Sequence, residues 1–240
     1  MGLRDFAALS FDCYGTLIDW ESGILAALAP WLEGHRIDAA PGEVLAAFAE
    51  GESRHQTKAP ATLYPEILSR ALQDMGKRWG VPVSAEEAAA FGASVADWPA
   101  FADSSPALAY LKGHHKLVIL SNIDKGSFAA SNARLGVEFD AVLTAGEIGS
   151  YKPDRRNFQY MVDALAGMGI GKDRILHVAQ SLFHDHVPAK EMGLTTMWID
   201  RRHAAEGWGA TMPPPTEVTP DYRCESMAAF ADMVKGEGAS

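Results

Sequence analysis

The run Phe6-Ala-Ala-Leu-Ser-Phe11 constrains this chain more than any other stretch, because it is short, mostly apolar and ends on Asp12, with Gly15 breaking the pattern soon after. A continuous apolar run of this length suits a strand covered on both faces, the condition of a parallel sheet. Open α/β sheets place their ligands at the carboxyl ends of the strands. Asp12 is therefore expected at a functional edge.

The second half of the chain repeats the pattern. Lys116-Leu-Val-Ile-Leu120 ends at Ser121-Asn122, and Ala141-Val-Leu-Thr144 ends near Gly146. Ile175-Leu-His-Val-Ala179 ends at Gln180-Ser181, and Thr195-Thr-Met-Trp-Ile199 ends at Asp200. Helical segments are predicted between them, over about 126–135, 154–168 and 185–192. Pro213-Pro-Pro215 reads as a loop, Asp221 to Cys224 as a last short strand, and Ser226 to Val234 as a closing helix. Strands alternating with helices predict an α/β fold with a Rossmann-like parallel sheet.

Residues 20–97 read differently. Ile24, Leu25, Leu28, Trp31 and Leu32 recur at helical spacing, as do Val44, Leu45 and Phe48, and Ile67, Leu68, Ala71, Leu72 and Met75. No strand interrupts them, so a helical cap is expected after the first strand. The expected division is a core over 1–19 and 98–240 and a cap, or lid, over 20–97.

The length of 240 residues accommodates one α/β domain and a smaller appendage. Disorder is expected only near the ends, where Lys235 to Ser240 is small, polar and glycine-containing. The formal net charge is −10 and no Lys/Arg stripe exists, which argues against nucleic-acid binding. An anionic substrate must then be met by local cations or N–H donors. Two cysteines, no signal peptide and no long apolar run predict a cytoplasmic protein that makes no use of a membrane. A homodimer is compatible with the sequence, closed symmetry being common.

The polar residues fall in one pattern. The strand ends carry Asp12, Ser121 with Asn122, the loop to Lys152, and Gln180 with Ser181 followed by Asp185. A parallel sheet gathers these ends, so Asp12, Lys152 and Asp185 can form a carboxylate–ammonium–carboxylate cluster. A nearby cation favours the ionised carboxylate. An ionised, partly desolvated carboxylate is a competent nucleophile.

Asp12-Cys-Tyr-Gly-Thr16 resembles the first motif of the haloacid dehalogenase superfamily, and Ser121-Asn122 its second. Lys152-Pro153-Asp154 resembles the third, and Ala179-Gln-Ser-Leu-Phe-His-Asp185 is similar to the fourth. The superfamily's phosphatases carry a second Asp where this chain has Tyr14, and usually an acidic residue where it has Gln180. Losing two carboxylates weakens a site for a hard cation, so no metal and no cofactor are expected. The Asp-x-Tyr-Gly-Thr form instead resembles the 2-haloacid dehalogenases.

That resemblance implies a small halogenated carboxylate and water as substrates. Asp12 would attack the halogen-bearing carbon and form an ester, which water hydrolyses. Thr16 would position Asp12, Lys152 would hold it, and Asp185 would orient Lys152 or activate water. Ser121 and backbone N–H groups near Tyr14 would bind the substrate carboxylate, with Gln180 and Ser181 nearby and Asn122 assisting the halide.

The match departs in three places. A lid Arg that receives halide has only Arg54 as its nearest counterpart, Phe158 stands for a Tyr, and Leu182 for an Asn. His184, His186, His55 or Trp20 are then the candidates for that halide role. His177, inside a strand, is expected to be structural, Cys13 a small buried residue, and the Tyr14 ring a packing element. His184 and His186 flank Asp185 without a zinc spacing. Three alternatives stay open: a metal-independent hydrolase of another small carboxylate at a C–N or C–O bond, a Mg²⁺-dependent phosphatase, and a non-catalytic small-acid-binding protein.

Overall fold

A computed structural model describes residues 2–238. Six strands form one sheet in the order β3-β2-β1-β4-β5-β6. They are β1 (Ala8–Phe11), β2 (Lys116–Ser121), β3 (Ala141–Thr144), β4 (Ile175–Ala179), β5 (Thr195–Ile199) and β6 (Tyr222–Cys224). Every pairing is parallel, and Phe11 lies beside Ile119 on one side and Val178 on the other. The chain runs outward from β1 to β2 and β3, then crosses back to β4. That reversal at β1 makes the crevice beyond Phe11 the place for a ligand.

The strands are apolar on both faces because both faces are covered. Leu9, Phe11, Leu117 and Ile119 join one apolar layer, while Ala8, Val118 and Leu120 join the other with Phe158, Met161 and Leu165. This is the two-residue alternation of a pleated strand. The second layer rests on α8 (Arg155–Gly167); the first on α5 (Ser104–Lys112) and α10 (Met227–Glu237), while α6 (Lys125–Leu135) and α7 (Ala145–Ile148) follow β2 and β3.

Between β1 and β2 the chain forms α1 (Trp20–Gly34), α2 (Pro41–Lys58), α3 (Tyr64–Trp79) and α4 (Ala85–Ala93). Helix α4 starts on a reciprocal cap in which Ser84 and Glu87 bond each other's backbone N–H. Helix α3 stops at Gly80, whose φ of 69° is the left-handed conformation that favours glycine. Tyr14 meets Tyr64 of α3 with its ring tilted at 6.4 Å and Trp98, beyond α4, edge-on at 5.6 Å.

Four differences from the sequence reading have local causes. Helix α5 has no counterpart in the sequence reading; Pro106 sits in its first turn, where proline is tolerated. Helix α10 continues past Val234 to Glu237, so the start of the expected disordered tail is helical, while Ala239 and Ser240 lie outside the described residues. β1 begins at Ala8, after a 3₁₀ turn over Leu3–Asp5. The helix expected from 185 begins instead as a wide π turn, Leu182–His186, and continues as α9 (Val187–Glu191). The Ser181 carbonyl accepts from both Asp185 N and His186 N, which sets that turn. No helix among the described residues is long and apolar enough to cross a membrane.

Candidate active site

The sheet edge brings Asp12, Lys152 and Asp185 together. Lys152 Nζ lies 2.9 Å from Asp12 Oδ1, 2.6 Å from Asp185 Oδ1 and 2.9 Å from the Leu120 carbonyl. An ammonium has three donors, so this lysine is fully engaged. Its carrier loop is held as well. Lys152 N donates to Asn122 Oδ1 at 2.6 Å, and Asn122 Nδ2 donates to Lys152 O at 2.9 Å. Asn122 therefore clamps the lysine backbone while also lining the cavity that Asp12 faces.

Asp12 is fixed from its other oxygen. Thr16 Oγ1 donates to Asp12 Oδ2 at 2.7 Å and accepts from Gln180 N at 2.9 Å. The turn between them needs Gly15: its φ is 89°, and an added Cβ would come within 2.9 Å of Trp20 Nε1. Gln180 contributes only main-chain groups here. Its side chain lines a separate cavity behind Trp20 and not the one that Asp12 faces, so its expected substrate contact is absent.

Asp185 is supported from below. His177 Nε2 lies 2.8 Å from Asp185 Oδ1, and His177 Nδ1 lies 3.2 Å from Ser10 Oγ. The sequence gives His177 a structural place in β4; the structure puts it in direct contact with the cluster. Phe158, beneath the site, packs on the His177 ring at 5.3 Å and does not line the cavity. Asp185 Oδ2, Ser121 Oγ and His184 Nε2 are buried without a hydrogen-bond partner. All three residues line the cavity, which leaves acceptors and donors for a ligand.

Burial is the largest influence on Asp12 and pushes its carboxyl above the usual carboxylate range. The Asp185 charge adds to this, while Lys152 and Thr16 pull the other way. The sequence reading expects the nearby cation to keep a partly desolvated carboxylate ionised; burial outweighs the cation. Burial also pushes Asp185 up, but Lys152 and His177 hold its carboxyl well below the usual range. Burial disfavours the Lys152 ammonium, yet two carboxylates keep its pKa raised. Burial lowers His184 and His186 to about 4, so both rings are neutral at pH 7.

The cavity over Asp12 holds about 30 Å³ of free space, room for about two waters. Its core side is made of Ser121, Asn122, Ser181 and His184 with the cluster itself. Ser181 Oγ bonds the His184 main-chain N–H at 3.0 Å and Thr211 Oγ1 at 3.0 Å. Tyr14 walls the cavity with its ring while its hydroxyl bonds Ser131 at 2.7 Å. The helical side is Trp20, Glu52, Gln56 and Tyr64. A larger space of about 300 Å³ adjoins it through Gln56, Lys152 and His184.

Glu52 and Gln56 were missed in the sequence, although they continue the buried stripe of Leu45, Phe48 and Ala49 at helical spacing. Tyr64 OH donates to Glu52 Oε1 at 2.7 Å. Burial pushes the Glu52 carboxyl up to about 7, with the Asp12 charge adding to it and the Tyr64 hydrogen bond opposing. The Arg54 and His55 expectations are corrected by the same helix. Arg54 Nη1 and His55 Nε2 bond Asp74 of α3 at 2.7 and 2.8 Å, away from the cavity. Two residues on an α-helix differ by about 200°, so burying Glu52 turns Arg54 outward. His186 is also removed from the halide candidates, its Nε2 lying 2.9 Å from the Ala179 carbonyl, and Leu182 stands outside the cavity lining.

A divalent cation does not fit this donor set. The two facing carboxylates are bridged by Lys152, and the place of a further acid is taken by Tyr14. Among the described residues no group of three or more His, Cys, Asp or Glu side chains is placed to hold a metal.

Comparison with known proteins agrees with the fold and motifs. Residues 6–179 match the family described as haloacid dehalogenase-like hydrolase. The (S)-2-haloacid dehalogenase of Pseudomonas sp. (strain YL) is 26% identical over 236 residues, covering 94% of this chain and 93% of that protein. The L-2-haloacid dehalogenase of Xanthobacter autotrophicus, solved with chloropropionic acid covalently bound, superposes with a TM-score of 0.76 at 19% identity, covering 96% of this chain and 99% of that one. The HAD-hydrolase YfnB of Bacillus subtilis, bound to magnesium, gives 0.77 at 15% identity, with 96% and 99% covered. With the match spanning the first strand through the fourth, the chain belongs to the haloacid dehalogenase-like hydrolase family.

Proposed function

We propose that this hydrolase cleaves the carbon–halogen bond of a short 2-haloalkanoate and yields the 2-hydroxyalkanoate. One observation carries the reading: Asp12 is held by Lys152 at 2.9 Å and by Thr16 at 2.7 Å in a small cavity walled by the helices. The position that would supply a phosphatase's acid is Tyr14, whose hydroxyl is spent on Ser131. The dehalogenases among its relatives favour the same chemistry, one of them with chloropropionic acid covalently bound.

The steps follow from the side chains. An Asp12 oxygen attacks the carbon bearing the halogen, and the C–X electron pair leaves with the halide. Ser121 Oγ, unpartnered in the cavity wall, binds the substrate carboxylate. Water then attacks the Asp12 carbonyl carbon of the ester. The hydroxy acid departs with a proton from that water. The other proton passes through one of the two unpartnered acceptors beside the cluster, Asp185 Oδ2 or His184 Nε2. Asp12 is regenerated with one oxygen from water.

The cavity is too small for a haloalkanoate together with water. Helices α1 to α4 therefore act as a lid that opens to load substrate and closes to exclude bulk water. The test is halide release from chloroacetate or 2-chloropropionate without added metal, with ¹⁸O from solvent accumulating in Asp12 over many turnovers. A folded protein that releases no halide from any short haloacid overturns the reading.

A further inference from the structure

Displacement by Asp12 is in line, so the departing atom leaves on the side of the reacting carbon opposite to Asp12. Asp12 stands on the sheet edge, and the wall opposite belongs to the helices: Trp20, Glu52, Gln56 and Tyr64. None of these is a cation. The one arginine nearby on the same helix, Arg54, is bonded to Asp74 on another face. Charge developing on the leaving atom must therefore be met by neutral hydrogen-bond donors.

Building on the displacement reading above, we propose that Glu52 is the leaving-group residue of this site: its neutral carboxylic acid, set in place by Tyr64, donates its hydrogen to the departing atom. The geometry is specific. Glu52 is 3% exposed, and Tyr64 is the one hydrogen-bond partner of its carboxyl among the described residues. The Tyr64 hydroxyl is spent on Oε1, which leaves the acid hydrogen on Oε2 for a ligand. Tyr64 is itself locked by edge-on packing against Trp98 at 6.4 Å.

The surroundings keep Glu52 as the group that changes charge near neutral pH. Facing it are Asp12, Tyr14, Tyr64, Tyr151, Lys152, His184 and Asp185. Burial holds the three tyrosine hydroxyls well above their ordinary value, and His184 is neutral down to about 4. Lys152 stays cationic and Asp185 anionic. Asp12 is the other carboxyl raised by burial, and an Asp12→Asn control separates it.

An O–H donor discriminates among leaving groups in a way a cation does not. Fluoride is a strong hydrogen-bond acceptor and bromide a weak one. With bromide the hydrogen stays on Glu52 and only bonds the departing ion. With fluoride the hydrogen also stays on Glu52 but bonds the departing ion far more strongly; with an oxygen or nitrogen leaving group, whose conjugate acid is weak, the proton transfers as the bond to carbon breaks. In that last case hydrolysis of the Asp12 ester releases the proton that restores Glu52. The assigned substrate class is therefore a small 2-substituted carboxylate whose leaving atom is a strong hydrogen-bond acceptor.

Rates with fluoroacetate and bromoacetate from pH 5.5 to 9 decide this for the wild type, Glu52→Gln and Glu52→Ala. Glu52→Ala should lose about 100-fold with fluoroacetate and under about 10-fold with bromoacetate. The wild-type fluoroacetate rate should fall about tenfold per pH unit above about 7, and Glu52→Gln, which donates but does not titrate, should lose that limb. Equal losses on both substrates overturn the proposal. Binding of fluoride ion, which takes the leaving-group position, read by tryptophan fluorescence, tests it even if no haloacid is turned over. Its Kd should rise about tenfold per unit above about pH 7 in the wild type and in Asp12→Asn, and stay flat in Glu52→Gln. A wild-type Kd independent of pH overturns it, whereas absence of bromide release sinks only the dehalogenation reading.

Discussion

Lys152 and His177 bond the same oxygen of Asp185, at 2.6 and 2.8 Å. A residue inside the central sheet thus sets the height of the carboxylate that in turn sets the lysine. The chain Ser10, His177, Asp185, Lys152, Asp12 runs from beneath the sheet edge to the cavity. Its members differ in place: Asp12 lines the cavity, whereas His177 lies beneath it and touches it only through Asp185.

Removing His177 should leave the Asp185 oxygen and Ser10 each short of a partner. His177→Ala is expected to cost about 1–3 kcal/mol of stability and to lower kcat while leaving KM close to wild type. Urea unfolding and the kcat-against-KM split check this. A loss seen only in KM would place His177 elsewhere in the mechanism.

Removing Lys152 strands two buried carboxylates against each other. Lys152→Met should destabilise the fold by about 3–5 kcal/mol and lower activity by about a thousandfold. The double variant Asp12→Asn/Lys152→Met should recover part of the lost stability, because one of the stranded charges is gone. Additive losses in chemical denaturation would contradict a direct coupling.

In the proposed displacement Asp12 is the nucleophile and must be ionised to attack. Its carboxyl lies above the ordinary range because of burial, so kcat/KM should fall as pH drops through a value higher than the usual ~3.9. A pH profile with 2-chloropropionate measures the limb. An acid limb at or below the ordinary value would show that the cation, and not burial, controls Asp12.

Glu52 makes a stability prediction independent of turnover. Its folded value is raised to about 7 from an ordinary 4.5. Between these values the unfolded chain has lost the proton that the folded chain still holds. Stability contributed by neutral Glu52 is therefore full below about 4.5 and is lost as pH rises through about 7. Relative to the wild type, Glu52→Gln should gain on the order of 3 kcal/mol between pH 4 and 8. Thermal or urea melts at the two pH values check both the sign and the size.

Arg54→Ala should leave turnover unchanged and cost under about 1 kcal/mol, the range of a surface ion pair. The same halide-release assay reads it. A hundredfold loss would mean that α2 rotates in the working enzyme and presents its other face.

The parallel sheet, the helical insertion after β1 and the convergence of Asp12, Lys152 and Asp185 are legible in the order of residues alone. Those follow from local rules: apolar runs make buried strands, and a parallel sheet gathers its strand ends along one edge. Tertiary packing decided the rest. Helix α2 carries Glu52, Arg54, His55 and Gln56 in little more than one turn, so its rotation about its own axis decides whether an acid or a cation faces the cavity. Asp74 on α3 binds Arg54 and His55, and Tyr64 binds Glu52, which fixes that rotation from a neighbouring helix. His177 and Gln180 were decided the same way, by contacts between residues far apart in the chain that no spacing along it encodes.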